Sequence, residues 1–236
     1  MNWQALLSAL FGDAHDITRD GDVIRGTAQL PVGSHSLTIA VVGTTDHAAI
    51  GVDTALAQAK VVLDTVQNHP GRPILLLVDT QGQRLRHRDE LLCINRYMAH
   101  LGCCVDLARR SGHRVIGLVY DQALSGGFIT SGLMADACYA LPEAEIRVMR
   151  LPAMSRVTKI SEDVLQTLSQ TNPVFAPGVA NYVAMGGIQS LWTDDLQQRL
   201  VMALSDQQIA DVRDTLGAER GGRRMAARVA QQVLAA

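Results

Sequence analysis

Two glycine-bearing bends hold the residue types with the most chemical potential. Ala123-Leu124-Ser125-Gly126-Gly127-Phe128 follows the apolar run Val115-Ile116-Gly117-Leu118-Val119-Tyr120. That pattern predicts a buried strand, a glycine turn and a helix beginning near Phe128. Adjacent glycines let a backbone approach a ligand closely, because no Cβ intervenes. N–H groups at the start of a helix lack internal acceptors and gather partial positive charge. A carbonyl oxygen seated there would be stabilised as it became an oxyanion. The second bend, Asp79-Thr80-Gln81-Gly82, follows the apolar strand Ile74 to Val78. Both fall at carboxyl ends of strands, where open α/β sheets bind ligands. A tight turn that only packs helix on strand would use the same glycines.

Other chemistries find less support. Ser125 invites comparison with a hydrolase nucleophile, but Ala123 stands where Gly-x-Ser-x-Gly needs its first glycine. A triad would also need His113 with Asp79 or Asp136 in reach, and a hydroxyl that caps the helix or touches substrate is the simpler expectation. The histidines at 15, 35, 47, 69, 87, 100 and 113 show no metal-ligand spacing, so no metal site is expected. No phosphate loop or dinucleotide fingerprint is present. Arg84, Arg86 and Arg88 alternate just after the Gln81-Gly82 bend. They make either a solvated loop or a cationic lip for an acidic substrate or carrier protein. Arg150, Arg156 and Lys159 follow the last strand, as surface cations or as holders of a substrate carboxylate. Phe128, Met134 and Met149 either line an apolar carboxylate site or pack the core.

The elements that must position these residues follow from periodicity. Trp3 to Phe11 reads as a short amphipathic helix with Asn2 as cap. Asp20-Gly21 marks a hairpin turn. His35 to Gly43 is a strand, and Val52 to Val66 repeats at helical spacing until His69-Pro70-Gly71. Residues 89–110 predict one long buried helix. Ala137 to Leu141 and Ile146 to Met149 predict two more strands around Pro142-Glu143. From Ser161 the chain reads as helical, with breaks at Asn172-Pro173, Pro177-Gly178 and Gly186-Gly187, and helical spacing continues over 219–234. Apolar strands alternating with helices predict a largely parallel sheet covered by helices.

Length and composition bound the function. The chain has 236 residues, 47% hydrophobic and 19% charged, enough for one large domain spanning 1–236. A formal charge of −2 argues against a nucleic-acid binder. Of the 21 cations only Lys60 and Lys159 are lysines, and arginine forks suit carboxylates and phosphates. Cys93, Cys103, Cys104 and Cys138 form no Cys-x-x-Cys pair, which predicts reduced, buried thiols in a cytoplasmic protein. Met1-Asn2-Trp3-Gln4 opens without a basic segment and a long apolar one, so no secretory signal is expected. No run approaches the roughly 18 apolar residues of a membrane span.

Over residues 37 to 150 the order of these motifs resembles the crotonase-like carboxyltransferase domains. The shared features are Asp79-Thr80-Gln81-Gly82, the helix from Glu90, the strand to Tyr120, the Ser125-Gly126-Gly127 turn, Ala135-Asp136, and Pro142-Glu143-Ala144-Glu145-Ile146-Arg147-Val148-Met149. Within that superfamily the chain is most similar to the gamma subunit of biotin-independent malonate decarboxylase. The length, Gln81 where relatives have proline, and Ser125 before the glycine pair all fit. The resemblance implies an α/β, crotonase-like (ClpP/crotonase) fold of repeated ββα units with a C-terminal helical region at about 161–236. It implies a beta subunit, an acyl carrier protein and an acyltransferase alpha subunit as partners, with no nucleic acid and no membrane. The implied reaction is decarboxylation of a malonyl thioester on the carrier's phosphoribosyl-dephospho-coenzyme A arm. No cofactor is bound directly, and coenzyme A is a candidate occupant of the pocket. Gly126 and Gly127 would be the backbone oxyanion donors, Ser125 their support, and Gln81-Gly82 a second wall. Valine at Gly127 is then expected to abolish turnover with the fold intact. Two alternatives stay open: an assembly subunit with a vestigial pocket, and an enoyl-CoA hydratase or isomerase. The latter usually needs a glutamate near the glycine turn, whereas Glu143 and Glu145 lie a strand away.

Overall fold

The computed structural model describes residues 1–171, 178–206 and 210–236. Asn2 caps α1 (Trp3–Phe11), its side-chain oxygen accepting from the Ala5 N–H at 2.8 Å. The Asp20-Gly21 turn joins β1 (Thr18–Asp20) to β2 (Val23–Val32), with Gly21 at φ +59°. β2 runs antiparallel to β3 (His35–Thr44) along its whole length, from Val23 opposite Thr44 to Val32 opposite His35. Ala28 and Leu30 bury one of its faces with Leu6 and Leu10 of α1.

From β3 onward a strand–bend–strand–helix unit recurs. β3 leads to β4 (Ala48–Ile50) and α2 (Val52–Asn68). β5 (Ile74–Gln83) begins parallel to β3 and ends parallel to β4. β6 (Val115–Leu124) begins between β5 and β7 (Ala137–Ala140) and ends beside β8 (Glu145–Arg147). The long strands thus serve a main parallel sheet with their first halves and a small sheet with their second. The register slips where they cross: Val78 faces Val119, but Thr80 faces Ala123. Asp79 therefore stands opposite the extra residues Tyr120, Asp121 and Gln122, a bulge of the kind that bends strands and re-aims side chains.

Two local expectations are corrected. Asp79-Thr80-Gln81-Gly82 does not terminate a strand; it is the second half of β5, because β4 offers backbone partners to Thr80, Gly82 and Gln83. The long helix over 89–110 is two, α3 (His87–Leu91) and α4 (Ile94–Arg110), parted at Cys93 with φ +59°. The break lets the buried Asp89 carboxylate accept the Val52 N–H at the start of α2, at 3.0 Å. α4 buries Ile94, Met98, Leu101, Val105 and Ala108, whereas Leu91, Leu92 and Leu107 are exposed.

The helical region starts at Leu151, ten residues before the expected Ser161, with a proline in its first turn where no N–H is needed. It comprises α6 (Leu151–Thr158), α7 (Glu162–Thr171), α8 (Val179–Ala184), α9 (Leu196–Ser205), α10 (Arg213–Glu219) and α11 (Ala226–Leu234). The expected breaks at Asn172-Pro173 and Pro177 lie outside the described residues. The Gly186-Gly187 break is observed, with Gly186 at φ +81°. Helical structure in the tail begins only at Ala226, after Gly221-Gly222. α1 and α9 cover one sheet face through Leu7, Leu75, Leu118, Trp192 and Leu200, while α2 and α4 cover the other through Ala59, Val62, Leu76 and Leu101. All four cysteines are free thiols; Cys104 and Cys138 are buried as expected, but Cys93 and Cys103 are exposed. No described helix is long and apolar enough to cross a membrane.

Candidate functional site

β6 ends at Leu124, and α5 (Ser125–Phe128) opens at the next residue, three earlier than the sequence suggested, running on as a π-turn over Ile129–Leu133. The pivot is Ser125, whose φ of +54° is left-handed. Such a conformation costs a non-glycine residue about 1–2 kcal/mol, and here it turns the chain from extended to helical within one residue. A left-handed residue followed by right-handed ones aims successive N–H groups at one point, forming an anion-binding nest. The N–H groups of Ser125, Gly126 and Gly127 lie in the first helical turn, where none has an intrahelical acceptor. Leu124 in the cap position supplies no side-chain bond.

The two bends predicted from sequence meet. A Cβ on Gly127 would lie 3.0 Å from Thr80 Oγ1 and 3.1 Å from the Gly82 backbone. A Cβ on Gly82, itself at φ +100°, would lie 3.1 Å from Ser125 Cβ. Gly82 is a wall rather than a donor, since its N–H donates to Thr80 Oγ1 at 3.0 Å, and that hydroxyl donates to the Ala48 carbonyl at 2.6 Å. Gly126 differs from its neighbour. It is partly exposed, and a Cβ there would meet only Met98 Cε at 3.2 Å and Gln83 Oε1 at 3.6 Å. Gln81 is exposed. Phe128 is core, set edge-on to Tyr182 at 6.1 Å, and Met134 packs beside the core of α2 and α4. The Ser125–His113 pairing is not formed. His113 precedes β6 while Ser125 follows it, roughly 30 Å away at strand rise, and the imidazole is buried with Nδ1 2.9 Å from the Arg72 carbonyl. Asp136 is likewise committed to Arg109 and the Val115 N–H.

The bulge gathers a polar cluster that no sequence spacing revealed. Buried Asp79 accepts the His47 N–H at 2.9 Å and the Gln122 N–H at 3.3 Å. Desolvation raises its pKa against those two bonds. His47 Nε2 lies 3.4 Å from Asp121 Oδ1 and 3.8 Å from Asp79 Oδ1. Among the described residues this is the one group whose donor atoms are close enough to hold a metal ion. Its members come from the bend between β3 and β4 and from the middles of β5 and β6, so the only signal in the sequence was an aspartate just past each of two apolar runs. The network continues from Gln122 Nε2 to Glu145 Oε2 at 3.0 Å, and Glu145 pairs with Arg147. Arg147 is the largely buried cation here, its pKa depressed by burial and by Arg150. Arg150 stands just before α6 with no side-chain capping bond, Arg156 lies in its last turn and Lys159 follows it at φ +63°, and all three are exposed.

The arginines after β5 carry partners of their own. Arg84 donates to Asp22 at 2.9 Å and to the Ala49 carbonyl at 3.2 Å. Arg88 forks onto Asp53 at 2.7 and 3.2 Å. Arg86 binds Asp89 at 2.6 Å and, as the main cause, holds that carboxyl down to about 2. The lip therefore offers a partner less net positive charge than its three guanidiniums suggest. A cavity of about 680 Å³ beyond the π-turn is lined by Leu133, Tyr182, Met185, Arg213 and Arg223, none of them an expected site residue.

Comparison with known proteins places this geometry. The profile of the malonate decarboxylase gamma subunit family matches residues 45–236. A malonyl-S-ACP:biotin-protein carboxyltransferase of Malonomonas rubra is 30% identical over 202 residues, 76% of this chain and 69% of that protein. A Pseudomonas malonate decarboxylase hetero-tetramer solved with coenzyme A contains a chain that superposes with a TM-score of 0.79 at 22% identity, covering 97% of both. The transcarboxylase 12S structure matches with a TM-score of 0.70 at 19% identity over 86% of this chain and 41% of that one. The fold is thus that of the crotonase-like carboxyltransferases, as the motif order implied.

Proposed function

Because the chain belongs to the malonate decarboxylase gamma-subunit family, we propose that its Ser125-Gly126-Gly127 turn is an oxyanion site in a malonate decarboxylase complex. The nest of first-turn N–H groups at the end of β6 is the observation that carries this reading. The chain pairs with a beta subunit, and the substrate is a malonyl thioester on an acyl carrier protein that an acyltransferase alpha subunit loads. The carrier's arm is phosphoribosyl-dephospho-coenzyme A. The coenzyme A named with the Pseudomonas complex supports a pocket shaped for such an arm. The C–C bond to the carboxylate breaks, its electron pair forms the thioester enolate, CO₂ leaves, and the enolate carbon takes a proton to give the acetyl thioester. Backbone N–H groups fixed beforehand stabilise the enolate oxygen without reorganising. Gly82 and Gln81 wall the pocket, and Arg150, Arg156 and Lys159 supply cations for the malonyl carboxylate. A cytoplasmic setting suits four free thiols.

Gly126→Ala tests the site. Its Cβ meets only the flexible Met98 tip and the Gln83 amide, so the fold holds while a methyl group crowds the thioester. In the complex assembled with the beta subunit, CO₂ release from malonyl carrier is expected to fall by up to about 10²–10³-fold, because the methyl group holds the thioester oxygen away from donors whose loss typically costs that much. Near-normal release from intact complex would favour the vestigial-pocket alternative instead.

Arg84, Arg86 and Arg88 dock the acidic carrier in this reading. Arg86 is a poor probe, since reversing it strands the buried Asp89. Arg88 and its partner Asp53 are both exposed, so Arg88→Glu isolates the surface charge. The carrier's KM is expected to rise several-fold at low salt with kcat unchanged, and the difference to shrink as salt screens it. An unchanged KM at low salt removes the docking role.

A further inference from the structure

β5 closes with Gln83, and its carboxamide faces the glycine turn. Gln83 Oε1 is sealed from solvent and has no hydrogen-bond partner. It lies 3.6 Å from the position of a Gly126 Cβ, whose other near neighbour is the Met98 methyl group at 3.2 Å. Neither end of the amide is hydrogen-bonded among the described residues. Native proteins leave few buried polar atoms empty, and each such atom calls for a reason. Two buried polar side chains next to it are spoken for: Thr80 holds Ala48 and Gly82, and Asp89 holds Val52 and Arg86.

We propose that Gln83 is a side-chain donor of the oxyanion pocket, giving its Nε2–H to the thioester oxygen beside Gly126. This rests on the decarboxylase reading and extends it by one catalytic residue. The two ends of a glutamine amide exchange by a half-turn about the last side-chain bond. With neither end tied, that rotation breaks no hydrogen bond here. An incoming thioester oxygen repels the carbonyl end and attracts the NH₂ end, more strongly as it gains negative charge. The free acceptor in the ligand-free protein is then the resting face of a donor that substrate turns around. A backbone nest alone fixes the oxygen's position from one side; a donor from β5 would hold it from the other.

Two near-isosteric variants test this in the assembled complex, with malonyl-coenzyme A as probe. Gln83→Met keeps the shape and removes the donor, and kcat is expected to fall about 10²–10³-fold with KM changed only a few-fold. Gln83→Glu is expected to be equally impaired at neutral pH and to regain activity as pH falls, because only the protonated carboxyl can donate. A role in packing, or in accepting an N–H from the substrate arm, predicts near-normal turnover of the glutamate variant at neutral pH, and that result overturns the proposal. So does turnover of Gln83→Met within threefold of wild type. Binding of a nitroacetyl thioester, which carries a nitro group for the carboxylate and cannot lose CO₂, separates the two readings. Wild-type complex that binds it but releases no CO₂ from malonyl-coenzyme A or from the malonyl carrier protein defeats the decarboxylase reading. Affinity for it at least tenfold weaker in Gln83→Met still supports the donor, and equal affinity defeats it.

Discussion

Gly127→Val is expected to unfold at a lower temperature than the wild-type protein as well as to lose activity. The sequence suggested that this substitution spares the fold; the packing of the two bends says otherwise. Even a single added carbon would sit 3.0 Å from Thr80 Oγ1 and 3.1 Å from the Gly82 backbone. Neither neighbour can swing aside, since Gly82 is main chain within β5 and the Thr80 hydroxyl holds both the Ala48 carbonyl and the Gly82 N–H. Displacing them would loosen β4 from β5. Overpacking of this kind costs about 1–3 kcal/mol, and each kcal/mol is worth about 2–4 °C in a chain of this size. Gly126→Ala is the control, expected to melt within about 2 °C of wild type because a flexible methionine tip is its nearest neighbour. Equal melting temperatures for Gly127→Val and wild type would refute the tight contact between β5 and α5.

Trp192→Ala is expected to lower one cooperative unfolding transition by about 3–5 kcal/mol, the usual cost of truncating a buried large aromatic. Trp192 lies in the connection between α8 and α9 and is 2% exposed. Its backbone N–H, which alanine would keep, donates to the Ala140 carbonyl at 2.9 Å, while its ring leans on Tyr139 at 4.9 Å, both residues of β7. The same cluster contains Leu6 of α1, Leu75 of β5 and Leu200 of α9. If the chain is one domain over 1–236, calorimetry and far-UV circular dichroism will show the whole protein melting earlier together. Two resolved transitions, with the sheet's midpoint unmoved by the substitution, would make the C-terminal helices a separate unit.

The order of elements and the chemistry-bearing turn were legible in the amino-acid sequence because both are written locally. A continuous apolar run such as 115–120 cannot be solvated and becomes a buried parallel strand. Two glycines after it mark a close backbone approach, whatever packs against them. Asn2, the Asp20-Gly21 turn and the spacing over Val52 to Val66 carry their own capping, turn and helical signals.

Tertiary structure alone decided how these parts are used. Whether Asp79-Thr80-Gln81-Gly82 ends a strand or extends it depends on β4, whose Ala48 pairs with Thr80 and Ala49 with Gly82, offering backbone partners. Similarly, the helix expected over 89–110 is parted at Cys93, and Asp89 in its first piece accepts an N–H from Val52 of another helix. The alternating arginines look like free cations until Asp22, Asp53 and Asp89 are folded against them. His47, Asp79 and Asp121 converge only because three strands bend at the same level, and Gln83 faces Gly126 only because β5 and α5 touch. Local propensity selects the element; a hydrogen bond or an ion pair needs a second group, and here that group is usually tens of residues away.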